Sequence, residues 1–127
     1  MIEDVRRFEE RADVYLRNFW EFYRRREYPK AGELLWGAYA QVVKATAARR
    51  GIPLRSHERL RRFARDIARD LGHPFTARGW RDDFTIAETL HQRFYEGDPD
   101  PRDLARLATS LPVWRREIRA LQAAFQS

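Results

Sequence analysis

The amino-acid sequence predicts an all-α protein, an antiparallel bundle of five helices. Five segments repeat apolar residues at intervals of three and four, the spacing that places them on one face of a helix. Turns containing proline or glycine separate these segments. No segment alternates with the period of two that indicates a strand, and no hairpin turn of the Asn-Gly kind occurs. With 127 residues, the chain is expected to form one helical-bundle domain, residues 1–127, in which short loops favour antiparallel neighbours.

The first two predicted helices differ in how their apolar residues are distributed. The first covers Ile2 to about Arg26, with acidic residues in its first turn and arginines in its last, as the helix dipole favours. The second begins at Pro29, since proline is tolerated in a first turn, and ends before Gly51. It is apolar around much of its girth, so we expect it to be the central helix of the bundle or to lie at a subunit interface.

Capping residues delimit the third and fifth helices. Ser56 is a predicted N-cap of the third helix, and Gly72 is a natural residue just after its end. Asp100 and Pro101 open the fifth helix, which we expect to continue as one kinked helix through Pro112. Apolar residues keep the same phase along this helix at Leu104, Leu107, Leu111, Trp114, Ile118, Leu121 and Phe125.

The fourth helix is expected to follow a loop. Residues 73–79 resemble a loop because they contain a proline and a glycine. The helix is then predicted to start between Trp80 and Asp82, where Asp82 and Asp83 would favour its N-terminus, and to run to Tyr95. Gly97 and the prolines that follow it end the segment.

The charge of the chain makes nucleic acid a candidate partner. The net charge is +6, and 23 of the 25 basic residues are arginine, the side chain best suited to bidentate contacts with phosphate and to stacking on bases. Two other interpretations stay open. A preference for arginine also follows from genomic base composition or from life at high temperature.

The absence of cysteine excludes disulfides, cysteine-based zinc sites and a thiol nucleophile. No cofactor and no metal are expected, because a metal site would need His57, His73 and His91 to converge from three different segments. The apolar runs are too short to span a bilayer, and the acidic N-terminus does not resemble a signal peptide. We therefore expect a cytoplasmic protein with no membrane partner.

The end of the fourth helix holds the first candidate site. His91, Glu88, Arg81 and Tyr95 are candidate catalytic residues. Helical spacing places His91 inside an apolar face and the other three along one edge of that face, beside His91. A carboxylate that holds an imidazole in one tautomer, with a guanidinium nearby, could transfer protons or bind phosphate. The alternative is that His91 is a core histidine satisfied by Glu88 and that Tyr95 is a bundle aromatic.

The turn between the second and third helices holds the second candidate site. Arg49, Arg50, Arg55 and His57 lie around a turn that leads into a helix N-terminus. Free backbone N–H groups and guanidinium groups at such a place could bind an anion or a nucleic acid. A capping turn with exposed charge is the alternative interpretation.

Several motifs together resemble a known family. They are Gly37-Ala-Tyr-Ala-Gln-Val-Val-Lys-Ala45, Arg49-Arg-Gly51, Ser56-His57 and Leu90-His-Gln-Arg-Phe-Tyr-Glu-Gly97. This ordered set is similar to the PaREP-type family of small archaeal and bacterial proteins, and the resemblance covers about residues 31–121. That family in turn resembles the HEPN superfamily of helical bundles.

The resemblance implies a HEPN-like fold and a homodimer, an expectation that the apolar second helix supports. HEPN proteins include metal-independent ribonucleases and partners of minimal nucleotidyltransferases in toxin–antitoxin and defence systems, so such an antitoxin is an implied partner. The ribonucleases resemble one another in an arginine followed by a histidine near the start of a late helix. Here the matching spacing is that of Arg50 and His57, between the second and third helices, whereas nine residues separate Arg81 from His91. Whether the chain is an enzyme therefore stays open.

Three functional hypotheses follow. The first is a HEPN-like module that binds RNA or a nucleotide, with ribonuclease activity in a toxin–antitoxin or defence system left open. The second is a non-catalytic dimeric scaffold whose histidine cluster is structural. The third is a small-molecule enzyme with a pocket between the second and fourth helices, lined by Trp36, Tyr39, His91 and Tyr95.

Overall fold

The computed structural model describes residues 2–92 and 99–126. These residues form five α-helices and no β-strand, as the sequence predicted. The helices are α1 (Ile2–Arg24), α2 (Tyr28–Arg49), α3 (His57–Leu71), α4 (Pro74–Gln92) and α5 (Pro101–Gln126). The predicted end of the fourth helix at Tyr95 and its stop at Gly97 lie outside the described residues.

Helix α2 is the centre of the molecule. It contacts each of the other four helices, and most of its residues are buried. Leu35, Tyr39 and Val43 are fully buried along its length. The prediction that the most apolar helix is central is therefore confirmed. A helix that is apolar on all sides is removed from water only when other helices surround it.

Helices α1 and α2 form a hairpin with a close approach. Arg26 adopts a left-handed conformation with φ 60°, and the backbone N–H of Glu27 donates to the Phe22 carbonyl, which closes α1 in the manner of a Schellman turn. Further along, a Cβ on Gly37 would lie 2.9 Å from Cδ2 of Tyr15. The absence of a side chain at Gly37 is thus what lets the ring of Tyr15 pack directly on the α2 backbone.

The sequence-based start of the fourth helix was wrong, because α4 begins at Pro74. His73 caps the helix: its Nδ1 accepts from the Phe75 backbone N–H at 3.2 Å. Pro74 occupies the first helical position, where no N–H is needed. Gly79 lies inside the helix and packs against Trp114, whose ring would be 3.2 Å from an added Cβ. The glycine therefore marks a close contact between helices rather than a loop.

Asp83 consequently lies in the middle of α4 and not at its N-terminus. It is buried, and its two carboxylate oxygens accept from Arg106 Nη1 at 2.8 Å and from Trp114 Nε1 at 2.9 Å. The hydrogen bond to Asp83 raises the pKa of Arg106. Both donors belong to α5, so this carboxylate fixes α5 against α4.

The predicted caps and the apolar face of α5 are confirmed. The Ser56 hydroxyl accepts from the Arg59 N–H at 3.1 Å, and Gly72 ends α3 with φ 78°. The Asp100 carboxylate accepts from the Arg102 N–H at 2.8 Å, and α5 continues through Pro112 as one helix. Four members of the predicted apolar face are fully or almost fully buried, namely Leu104, Leu107, Leu111 and Ile118. Within residues 2–92 and 99–126, no helix is both long and apolar enough to cross a membrane.

Candidate active site

A tryptophan on the central helix brings two histidines together. The Trp36 side chain is 6% exposed, and its ring centre lies 5.5 Å from that of His57 and 5.8 Å from that of His91. The two imidazole rings are 6.3 Å apart, with 21° between their planes. The ring of Phe84 meets that of Trp36 edge-on, with the ring centres 5.3 Å apart. The two sequence-predicted clusters therefore meet through their histidines.

Three helices position these groups. His57 is the first residue of α3, where the Ser56 cap fixes the direction of the chain. His91 lies in the last described turn of α4. Because α2 contacts both α3 and α4, one α2 side chain can touch both histidines.

Each histidine pairs with a carboxylate on another helix. His57 Nε2 lies 3.2 Å from Glu88 Oε2, and His91 Nδ1 lies 2.8 Å from Glu33 Oε1. An ionised carboxylate only accepts hydrogen bonds, so His57 donates from Nε2 and His91 donates from Nδ1. Glu88 therefore orients His57 rather than His91, its neighbour on α4.

The opposite nitrogen of each imidazole is left for another partner. These are Nδ1 of His57 and Nε2 of His91, and neither makes a hydrogen bond within the described part of the chain. The side chains of His57 and His91 are 44% and 39% exposed. Two imidazoles of defined tautomer are thus accessible from solvent at one place.

Basic side chains extend from this cluster into a groove between α3 and α4. Arg61 Nε forms an ion pair with the same Glu88 oxygen, at 2.8 Å. From there the groove, with a volume of about 140 Å³, is bordered by Arg65 and by the predicted site residue Arg81. In the described ranges, Arg81 is exposed and makes no hydrogen bond or ion pair with His57 or His91, so it borders the groove and does not belong to the histidine cluster.

The arginines of the second predicted site do not converge with His57. Arg49 pairs with Glu9 on α1. Arg50 donates to Asp70 at 2.8 Å and to Gln122 at 3.1 Å, and its guanidinium lies over the ring of Phe63. Both arginines join helices to one another.

Arg55 is exposed, with no ion pair among residues 2–92 and 99–126. Of the four residues predicted to bind an anion at this turn, only His57 belongs to the histidine cluster. The arginines next to the cluster come instead from the faces of α3 and α4.

Tyr95, predicted as a catalytic residue, lies outside the described residues. Tyr39, predicted to line a pocket for a small molecule, is fully buried, and its hydroxyl donates to the Leu107 carbonyl at 2.8 Å. That hydroxyl is therefore already used in the core. Within the described ranges, no three His, Cys, Asp or Glu side chains are grouped so that they could hold a metal ion.

Sequence reasoning missed Glu33 and Arg61 as members of the site. One signal was present for Glu33, because it is the single acidic residue of the apolar helix α2 and precedes Trp36 by three positions. A carboxylate at that place needs a polar partner once the helix is buried. Arg61 gave no such signal, since it is one of several arginines on α3.

The comparisons with known proteins give one match. No curated protein and no solved structure matches the chain. A family model matches residues 7–110, a range that extends from α1 into α5 and includes His57, Glu88 and His91. This match confirms the PaREP-type resemblance, and the chain belongs to the archaeal PaREP1/PaREP8 family.

Proposed function

We propose that the chain binds RNA and cleaves it without a metal ion at the pair formed by His57 and His91. The observation that carries this proposal is the juxtaposition of the two imidazoles, with ring centres 6.3 Å apart. Each imidazole is partly exposed and has one nitrogen engaged by a carboxylate. Paired imidazoles can supply both a general base and a general acid near neutral pH.

The chemistry is transfer of a phosphoryl group within the RNA strand. One imidazole accepts the proton of a ribose 2′-hydroxyl, whose oxygen attacks the adjacent phosphorus. The bond from phosphorus to the 5′-oxygen of the next nucleotide breaks, and the other imidazole donates a proton to that oxygen. The products are a 2′,3′-cyclic phosphate and a free 5′-hydroxyl.

The side chains around the imidazoles fit this division of work. Glu88 and Glu33 each hold a ring in one tautomer, so that the opposite nitrogen is the one that exchanges the proton. Arg61 is 43% exposed beside Glu88, so its guanidinium can stabilise the negative charge that builds up on the phosphate.

The biological setting is proposed from the family. Membership of PaREP1/PaREP8, together with the resemblance to HEPN bundles, favours a HEPN-like homodimer that acts in a cytoplasmic toxin–antitoxin or defence system, with a minimal nucleotidyltransferase as partner. Such a partner would control the activity of the two-histidine site by covering or releasing it.

Cleavage of a single-stranded RNA oligonucleotide in the presence of EDTA tests the activity. His57→Ala and His91→Ala should each reduce the rate by about 100-fold or more, as loss of a general acid or base does. His73→Asn is the matched control, because His73 is exposed and lies outside the cluster, and asparagine can replace it as the cap of α4. A 2′-deoxy substitution at the cleaved nucleotide should stop the reaction, and a cyclic phosphate should be found in the product.

Two results would overturn the proposal. One is an unmodified protein that neither binds nor cleaves RNA at low salt, where attraction between arginine and phosphate is strongest. The other is cleavage that does not distinguish the variants: an equal loss in His73→Asn would point to general damage to the fold, and full activity in both His57→Ala and His91→Ala would point to a contaminating nuclease.

A structural role for the same cluster is the second candidate. The hydrogen bonds between each histidine and a carboxylate on another helix favour it. Glu33 and Glu88 join α2, α3 and α4 through the histidines, which is what a scaffold protein would need. His91→Ala should then lower stability by about 1 to 3 kcal/mol, as loss of a partly buried hydrogen bond does, with no activity to lose. An unchanged melting temperature in this variant would contradict the structural role.

A further inference from the structure

The groove between α3 and α4 is basic on both walls. Arg61 and Arg65 lie on the α3 wall, and Arg81 lies on the α4 wall. Buried aromatic rings of Trp80 and Phe84 form its floor. With a volume of about 140 Å³, the groove is large enough for a small polar group and too small for a base pair.

Two of these arginines are not neutralised. In the part of the chain that the structure describes, Arg65 and Arg81 have no carboxylate partner, and both are exposed. Two other arginines of α3 differ in this respect: Arg62 pairs with Glu58 at 3.2 Å, and Arg69 lies 3.6 Å from Asp66. The groove is therefore lined by two guanidinium groups whose hydrogen-bond donors are available, and such groups bind phosphate oxygens.

The groove continues into the histidine cluster. Glu88 lines the groove and also accepts from His57, so a group seated between Arg65 and Arg81 lies next to the proposed point of cleavage. Arg61 and Arg65 are four residues apart on one helix, a rise of about 6 Å. That rise is comparable to the step between successive phosphates of an extended single strand.

We propose that the α3–α4 groove binds the backbone phosphates of a single-stranded polynucleotide next to His57, so that the substrate is a strand of several nucleotides and not a mononucleotide. This inference rests on the proposed function, because cleavage at His57 and His91 decides which phosphate lies nearest Arg61. Arg61 lies nearest the cleaved phosphate, whereas Arg65 and Arg81 hold a neighbouring phosphate. The electrostatic contacts carry no base specificity, because phosphates are the same at every nucleotide.

Binding of an uncleavable strand tests the groove without any need for catalysis. The probe is a fluorescent 2′-O-methyl oligonucleotide of about 12 nucleotides, followed by anisotropy between about 50 and 200 mM salt. Arg65→Ala and Arg81→Ala should each weaken binding several-fold and reduce the slope of log affinity against log salt by about 0.7, the value for one lost phosphate contact on a single strand.

Arg59→Ala is the matched control. Arg59 is an exposed arginine of the same helix, lies outside the groove, and has no ion pair within the described ranges. Its replacement removes the same charge from α3, and both the affinity and the salt slope should stay close to those of the unmodified protein. A dinucleotide probe should bind more weakly than the longer strand, and Arg65→Ala/Arg81→Ala should remove most of that difference.

The outcomes separate the groove from the catalytic proposal. If Arg59→Ala weakens binding as much as the groove variants do, or if a duplex of the same sequence binds better than the single strand, the groove proposal is wrong even where His57→Ala abolishes cleavage. If the groove variants weaken binding while His57→Ala cleaves RNA normally, the groove stands and the proposed catalytic function fails. Unmodified protein that does not bind the long probe at low salt overturns the groove directly.

Discussion

Replacement of Tyr39 by phenylalanine should change how the stability of the protein depends on pH. Tyr39 is fully buried, and its hydroxyl donates to the Leu107 carbonyl at 2.8 Å. Burial, and secondarily the negative charge of Asp83, raises the pKa of Tyr39 well above its ordinary value near 10. The folded protein therefore keeps this phenol neutral under conditions in which the unfolded chain releases its proton.

The sign and size of the effect follow from proton linkage. Below pH 10 both states hold the proton, and Tyr39→Phe should lower the free energy of unfolding by about 1 kcal/mol, the net value of one hydrogen bond. Above pH 10 the unfolded state binds fewer protons than the folded state, so the unmodified protein loses about 1.4 kcal/mol per pH unit through this group. The phenylalanine variant has no such loss, and the two proteins should become equally stable between about pH 10.5 and 11.

Urea unfolding followed by circular dichroism from pH 7 to pH 11 measures this difference. Every other titrating group is present in both proteins, so its contribution cancels when the two free energies are subtracted. A difference that stays constant across this range would refute the reasoning, since it would mean that the Tyr39 phenol ionises as readily in the folded protein as in the unfolded chain.

Four further substitutions test the packing and the backbone conformation. Gly37→Ala should destabilise the fold by about 1 kcal/mol, because the clash with Tyr15 outweighs the gain in helix propensity. Gly32→Ala should stabilise it by about 0.5 to 1 kcal/mol, because the atoms nearest to an added Cβ lie at 3.7 Å. Urea unfolding that shows the same sign for both variants would contradict the close approach of Tyr15 to Gly37. Asp83→Asn offers one oxygen acceptor to the two donors from α5 and should cost about 1 to 3 kcal/mol by the same measurement, because Asp83 itself is buried. Unchanged stability would disprove its role between α4 and α5. Arg26→Gly should increase the free energy of unfolding by about 1 kcal/mol and so raise the melting temperature, because glycine adopts the left-handed conformation without strain. A lower melting temperature would count against strain at Arg26.

Local patterns were sufficient for most of the fold. The N-cap Ser56 and the terminal Gly72 are recognisable because each depends on the backbone of a single helix end. The start of α4 was misplaced because Gly79 was interpreted as a loop residue. A glycine is needed at this position because the ring of Trp114, which belongs to α5, packs on the α4 backbone there.

The candidate site was predicted in part. Glu88, His57 and His91 were recognised as residues with chemistry, yet their partners were not. Glu88 lies three positions from His91 on the same helix, and that spacing permits a contact without requiring one. In the structure Glu88 bonds to His57, 31 positions away, and His91 bonds to Glu33, 58 positions away.

The sequence by itself determined an all-helical chain with a central apolar helix, because helical periodicity and capping depend on residues within a few positions of one another. It also determined which residue types are available for acid–base chemistry. Only the tertiary structure decided that two histidines from different helices lie 6.3 Å apart over Trp36, and that Arg49 and Arg50 join helices instead of facing a ligand. These outcomes depend on how α2 packs against α3, α4 and the other helices. That packing is set by many weak contacts between distant segments, which no local pattern records.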